Sequence, residues 1–206
     1  MTPPVSVRQY GLEDFSQMLR IQEECFPPPF SAELLWKKEH IASHVFRFPE
    51  GALCAVIGEE LVGSATCNRI DVDLTHLTGH TWAEAADNGY LRNFDPGGNT
   101  LYGIDVAVRP GFRGQGVARA LYMARFAVVR RFGMQRFLAG SRMSGYHRHA
   151  GSMTPEAYVE AVSSGMLTDP VITPQLKAGL HPVAVVRDYL PDDEARNCAL
   201  MMEWVP

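Results

Sequence analysis

A chain of 206 residues is long enough for one domain that buries roughly 70 per cent of the surface its unfolded form exposes. Its 19 lysines and arginines face 23 acidic residues, and the net charge of −4 excludes a general electrostatic attraction to nucleic acid. Met1 to Pro4 opens without a basic region and no run of about 18 apolar residues follows, so a cytoplasmic protein with no membrane segment is expected.

Val5 to Tyr10 alternates and predicts a short first strand. Leu12, Phe15, Leu19 and Cys25 or Phe26 recur at helical spacing, predicting a helix over 12–24 that Pro27-Pro28-Pro29 ends. Ser31 is placed to cap a second helix, whose stripe of Leu34, Leu35, Ile41 and Val45 runs up to Pro49. Ala52 to Ile57 and Leu61 to Cys67, joined through Gly58-Glu59-Glu60, predict a β-hairpin. The next stretch, 68–99, is polar and reads as an insertion; within it Thr81 and Glu84 have the spacing of a capping box for a short helix.

Leu101 to Val108 is an apolar run that predicts a long strand. Gln115 to Phe132 then predicts a helix with Val117, Leu121, Val128 and Phe132 on its buried face and Gly133 as its stop. Arg119, Arg125, Arg130 and Arg131 on that helix read mainly as solvated surface, with Arg119 near enough to the preceding turn to reach a phosphate. A strand over 136–139 completes a crossover unit, right-handed by default. A second polar insertion, 140–169, holds a helix from its Thr154 cap and Pro155 to Gly165. A short helix from Thr173-Pro174 to Gly179 and strands over 183–186 and 198–204 close the chain. The four cysteines, Cys25, Cys54, Cys67 and Cys198, form no Cys-x-x-Cys pair and read as buried thiols rather than disulfides or a zinc knuckle.

The most informative segment is 101–131, in which a strand feeds the turn Arg109-Pro110-Gly111, the hexad Arg113-Gly114-Gln115-Gly116-Val117-Ala118 and then a helix. Unpaired amides of a first helical turn, backed by the helix dipole and unobstructed by Cβ atoms at glycine, form a place for phosphate. Gly111 and Gly116 have the separation of a nucleoside triphosphatase loop, but Val117-Ala118 stands where lysine and serine or threonine are needed. Counting a dinucleotide fingerprint from Gly114 gives Gly116 and then Arg119, so its third glycine is missing. The pattern met is Arg113, Gly116 and Ala118, preceded by Val106-Ala107-Val108-Arg109-Pro110.

In these residues the chain resembles the GNAT superfamily of acyl-coenzyme A dependent N-acyltransferases, and its element order resembles that fold across nearly its whole length. The resemblance implies an α/β (α+β) architecture of one domain over 1–206. It has a mixed, mostly antiparallel sheet flanked by helices, with the fourth and fifth strands splayed around the coenzyme and the two insertions flanking the acceptor site. The stretch from Gly140 to Ala150, with Asp169-Pro170 downstream, resembles a bacterial subgroup found alone or fused to a carbon-nitrogen hydrolase, for which 206 residues leave no room.

By the same resemblance, backbone groups of Val106, Ala107 and Val108 would pair with the pantetheine arm as a strand pairs with a sheet edge. Amides of Gly114, Gln115, Gly116, Val117 and Ala118, aided by Arg113 or Arg119, would take the pyrophosphate. One amide of the fourth strand would polarise the thioester oxygen, an interaction that typically contributes about 3 to 4 kcal/mol. The acceptor needs a base, since an amine of pKa near 10.4 is only about one part in 10³ neutral at pH 7, a deficit of about 4 to 5 kcal/mol. Asp105 is the only carboxylate in the coenzyme-binding strand; it reads either as that base or as a structural carboxylate. Strict alternation puts it on the opposite face from Val106, an account that a local bulge would alter.

Many superfamily members protonate the leaving thiolate with a tyrosine four residues before a Gly-Phe pair. Counting back from Gly179-Leu180 gives Gln175, which leaves Tyr146 or Tyr158 as substitutes. His147 and His149 lack a third ligand at metal-binding spacing, so no metal is expected. The leading reading is an N-acetyltransferase that uses acetyl-CoA. It would act on a small-molecule or peptide amine by direct attack in a ternary complex, as a monomer or homodimer. A non-catalytic acyl-coenzyme A sensor is the alternative, and a nicotinamide-dependent oxidoreductase is already opposed by Arg119.

Overall fold

Short apolar runs alternating with one-sided helices assemble into one seven-stranded sheet in the computed structural model, which describes residues 4–28 and 30–206. Met1 to Pro3 and Pro29, used above for the chain start and the first helix stop, lie outside the described residues. In chain order the strands are β1 (Ser6–Gln9), β2 (Ala52–Ile57), β3 (Glu60–Ile70), β4 (Thr100–Val108), β5 (Arg136–Arg142), β6 (His181–Val186) and β7 (Ala199–Trp204). The helices are α1 (Phe15–Cys25), α2 (Lys38–Arg47), α3 (Trp82–Ala86), α4 (Val117–Arg131), α5 (Pro155–Ser163) and α6 (Ile172–Lys177). The sheet order is β1-β2-β3-β4-β5-β7-β6, and the β4–β5 pair alone is parallel. This is the mixed, mostly antiparallel sheet implied by the resemblance.

Helices cover both faces. α1, α2 and α3 bury Met18, Ile21, Ile41 and Ala86 against Tyr102, Ile104 and Leu138 on one side. On the other, α4, α5 and α6 bury Phe126, Val129, Tyr158 and Ile172 against Phe137 and Leu200. At about 25 cal/mol per Å² of apolar surface, these two layers supply the main driving force for folding.

Several boundaries differ from the sequence reading. Leu12–Asp14 is a 3₁₀ turn held by the Asp14 carboxylate, which accepts from the Gly11 amide at 2.9 Å and from Arg8, so α1 begins only at Phe15. Ser31 caps a 3₁₀ turn, Ala32–Leu34, and α2 starts separately at Lys38, because Trp36 between them turns into the core and is 3% exposed. β3 continues to Ile70 because β4 pairs with it as far as Thr100, and β5 continues to Arg142 because β7 pairs with it as far as Ala199. Both strands therefore run into stretches that polarity alone had marked as insertions. The Thr81–Glu84 capping box forms as its spacing predicts.

The β3–β4 register jumps from Thr66 opposite Asp105 to Cys67 opposite Gly103, leaving Ile104 as an extra residue in β4. Such a bulge bends a strand and re-aims its side chains. Tyr102, Ile104 and Asp105 consequently all face α1 and α2, while Val106 faces the α4 side.

One buried polar chain ties these layers together. The Gly89 carbonyl can only accept, so His44 donates to it from Nε2 (2.7 Å) and accepts at Nδ1 from the Tyr10 hydroxyl (2.9 Å), which accepts in turn from Thr66. Burial lowers the His44 pKa to about 4. The unfolded chain, with histidine near 6.5, takes up this proton first, so the contribution is complete above pH 6.5 and is lost as pH falls towards 4. Urea midpoints should show wild type losing about 3 kcal/mol more than His44→Gln between pH 7 and 4; parallel pH dependences would disprove this account.

Candidate active site

The glycine-rich turn has the conformation its composition requires. Gly114 and Gly116 have φ of +77° and +83°, a region that costs side-chain-bearing residues about 1 to 2 kcal/mol, and open space surrounds the position of a Cβ on either. Gly116 immediately precedes the first turn of α4. Among the described residues, the main-chain amides of Gly114, Gln115, Gly116, Val117 and Ala118 have no acceptor. They are exposed apart from Val117 and Ala118 and sit at the positive end of a 15-residue helix. Arg113 and Arg119 are exposed beside them, and Arg113 Nε donates to the Val108 carbonyl at 3.2 Å. The turn, the last residues of β4 and the arginines thus form one continuous surface.

β4 and β5 pair only from Thr100–Arg136 to Gly103–Ala139, although β4 runs on to Val108 and β5 to Arg142. Beyond that point β5 remains paired with β7, and the β4 edge over 104–108 faces no strand. The gap opens into a cavity of about 140 Å³ lined by Asp105, Val106, Ser141, Gln175 and Tyr189, among others. Gly140 is required at its wall, because a Cβ there would lie 2.2 Å from the Tyr189 ring. Phe26, Phe30 and Arg142 separate this chamber from a wider outer groove of about 720 Å³ that reaches Pro110 and Arg113.

Asp105 is partly buried in the chamber, and its carboxylate accepts from Gln22 Nε2 of α1 at 3.0 Å. The Trp36 indole N–H faces it but lies outside hydrogen-bonding geometry. Burial raises its pKa to about 6, and the positive charge of Arg125 and the Gln22 bond moderate the rise. A carboxyl group so placed changes protonation near neutrality, where a proton acceptor is most useful.

Two hydrogen-bonded chains flank it. Ser141 donates to Gln175 Oε1, and Gln175 Nε2 donates to the Tyr122 hydroxyl at 2.9 Å. Gln175, at the position counted back from Gly179-Leu180, does line the chamber, and a tyrosine from α4 stands behind it. On the α1 side, His80 Nε2 lies 2.8 Å from the Tyr102 hydroxyl, which lies 2.9 Å from that of Tyr189. This line runs from a partly exposed imidazole through two buried phenols to the chamber.

Tyr146 and Tyr158 stand elsewhere. Tyr146 donates to the Met153 carbonyl at 2.9 Å and Tyr158 to Asp169 at 2.8 Å, and neither lines the chamber. His147 bonds the Ser144 carbonyl and His149 packs on Tyr158. The reading of Arg125 as solvated surface is overturned: it is 1% exposed and lines the chamber. Its position was legible, because 125 continues the buried stripe of Leu121 and Val128 at helical spacing. Gln22 likewise follows Met18 by one helical turn.

A family model described as the acetyltransferase (GNAT) family matches residues 15–150. The chain belongs to this GNAT family. It is 40% identical over 200 residues to the uncharacterized N-acetyltransferase YkwB of Bacillus subtilis (strain 168), covering 97% of this chain and 88% of that protein. It is 36% identical to the probable hydrolase YhcX of the same organism over 96% of this chain, which spans only 38% of that longer protein. The solved GNAT-like decarboxylase GphF, in complex with isobutyryl-CoA, superposes with a TM-score of 0.80 over 97% of this chain and 98% of its own, at 21% identity, which establishes a shared fold. GNAT membership resolves the choice left open by the glycine motif in favour of an acyltransferase and against a nicotinamide enzyme. Among the described residues no helix is long and apolar enough to cross a membrane.

If the turn holds the coenzyme's diphosphate, Gly116→Glu should abolish calorimetrically measured coenzyme A affinity. It places a carboxylate in the phosphate position, while the melting temperature should fall only by the strain of a left-handed residue. Unchanged affinity would remove the turn from the site.

Proposed function

We propose that this GNAT protein transfers an acetyl group from acetyl-coenzyme A to the amine of a small molecule or peptide by direct attack in a ternary complex. The observation that carries this reading is the continuity of three features: the unpaired amides of 114–118, the β4 edge that β5 leaves uncovered, and a chamber containing Asp105. The amides of Gly114 to Ala118, with Arg113 or Arg119, would bind the diphosphate. Backbone groups of Val106, Ala107 and Val108 would receive the pantetheine arm as a β-augmenting strand. The thioester carbon then reaches the chamber, where an amide of β4 can oppose the developing oxyanion. The name of YkwB, an N-acetyltransferase, supports the amine as acceptor class. The hydrolase function in the name of YhcX belongs to a protein of which this chain spans a minority.

An ammonium acceptor sheds two protons, one of which can return to the departing thiolate. Asp105 would take the first, and the Tyr189–Tyr102–His80 line offers the other a path outward. Burial holds both tyrosines' pKa values above 10 and that of His80 below 6.5, so the phenols are neutral relays and the imidazole a neutral acceptor. Covalent catalysis by Cys25 at the outer groove is disfavoured, because burial raises its thiol to about 11.

As a base Asp105 must be ionised, so kcat/KM should fall as pH drops through about 6. Asp105→Asn should lower kcat/KM by about 10²-fold or more, remove that acid limb, and leave coenzyme A affinity nearly intact. A variant with wild-type rate and pH profile would make Asp105 structural. Tyr189→Phe should reduce kcat by about tenfold with little change in KM for acetyl-coenzyme A, and an unchanged kcat would exclude the tyrosine line as a proton path.

A further inference from the structure

The protein neutralises its other deeply placed guanidinium groups. Arg109, 6% exposed, is paired by Glu24 and Glu60, and Arg142 by Asp192 and Glu194. Arg125 is more deeply buried than either, at 1% exposed, and no carboxylate among the described residues pairs with it. Of its five N–H groups, one makes a 3.3 Å bond from Nη2 to the main-chain carbonyl of Asp105, and Nε has no partner. The rings of Tyr122 and Phe137 lie 4.8 and 5.2 Å from the guanidinium carbon. They cushion the charge, but a cation–π contact contributes less than a buried cation loses on leaving water. The Asp105 carboxylate is engaged by Gln22 on the α1 side, while Arg125 approaches β4 from α4.

A buried, planar cation with free donors at the wall of a chamber is built to receive an anion, and its geometry matches the two oxygens of a carboxylate. We propose that the chamber is a carboxylate-recognition site. Arg125 takes the carboxylate of a substrate, borne either by a dicarboxylic acyl group on the coenzyme thioester or by an amino-acid acceptor. The proposal rests on the acyltransferase reading of this same chamber and narrows it: Asp105 offsets part of the Arg125 charge through space, but acetyl transfer to a plain amine would leave its free donors without an acceptor. Ser141 and Gln175, both neutral, line the same chamber and add polar groups to it.

The test has two arms with the full chain. In the first, calorimetry compares malonyl- and succinyl-coenzyme A with acetyl- and butyryl-coenzyme A. In the second, thiol release from acetyl-coenzyme A is compared for the common amino acids and their methyl esters. A preference of about tenfold or more for the carboxylate-bearing partner is expected in one arm, the value of a charge-assisted hydrogen bond. The arm that shows it identifies the source. Arg125→Met should erase that preference, and Arg125→Lys should retain part of it. Absence of preference in both wild-type arms overturns the proposal whatever the variants do. So does a preference that survives Arg125→Met with only the Asp105 pH profile displaced, which would make Arg125 a counter-charge. Failure of coenzyme A itself to bind would overturn the acyltransferase reading as well, whereas coenzyme binding without carboxylate preference would sink this inference alone.

Discussion

The parting of β4 from β5 is the constraint on which the rest of the structure depends. A parallel pair in mid-sheet is ordinarily bonded along its whole length, and leaving backbone groups without partners in the interior is expensive. Here the pair closes only as far as Gly103 and Ala139, where a Cβ on Gly103 would lie 2.8 Å from the Phe137 ring. Immediately afterwards the Ile104 bulge turns β4 aside, while β7 keeps β5 on its course. The separation leaves an edge over 104–108 that only a ligand, side chains or water can satisfy, and it places that edge at the entrance to a chamber lined by residues of both helical layers. Side chains meet part of the demand: Trp82 donates to the Ile104 carbonyl at 3.0 Å, Arg125 to that of Asp105 and Arg113 to that of Val108.

The same opening explains the electrostatics. Water excluded from the gap raises the Asp105 pKa, and the carboxyl group is oriented by α1 through Gln22 and moderated by the charge on α4. Without the bulge, strict alternation from Tyr102 would turn Asp105 away from α1. The unusual features of the chamber, a carboxyl group titrating near 6 and a guanidinium with unused donors, sit on either side of β4 where it leaves its neighbour. Strained or incompletely satisfied groups of this kind collect where a fold binds something, because elsewhere they would only subtract from stability.

Much of the site was readable because its parts are local. The glycines at 114 and 116 adopt the left-handed conformation that their residue type favours. Thr81 and Glu84 form their box, and the strand before the turn is the strand that parts. Other expectations failed where distant residues intervened. Polarity marked 68–70 and 140–142 as insertion, yet pairing with β4 and β7 draws them into strands. Tyr146 and Tyr158, attractive for their residue type, are occupied by Met153 and Asp169, whereas Tyr122, Tyr102 and Tyr189 arrive from three separate elements. Arg125 is buried because its helical phase, not its residue type, sets the face it occupies.

The amino-acid sequence by itself determined the element order, the glycine-rich turn and the family, since these follow from periodicity, capping and glycine positions within about thirty residues of one another. Tertiary structure alone decided where β4 and β5 separate, on which face Asp105 lies, and which side chains share the chamber. Those outcomes depend on inter-strand register and on contacts between residues as far apart as Gln22 and Asp105 or Tyr122 and Gln175, and no local pattern encodes such distances.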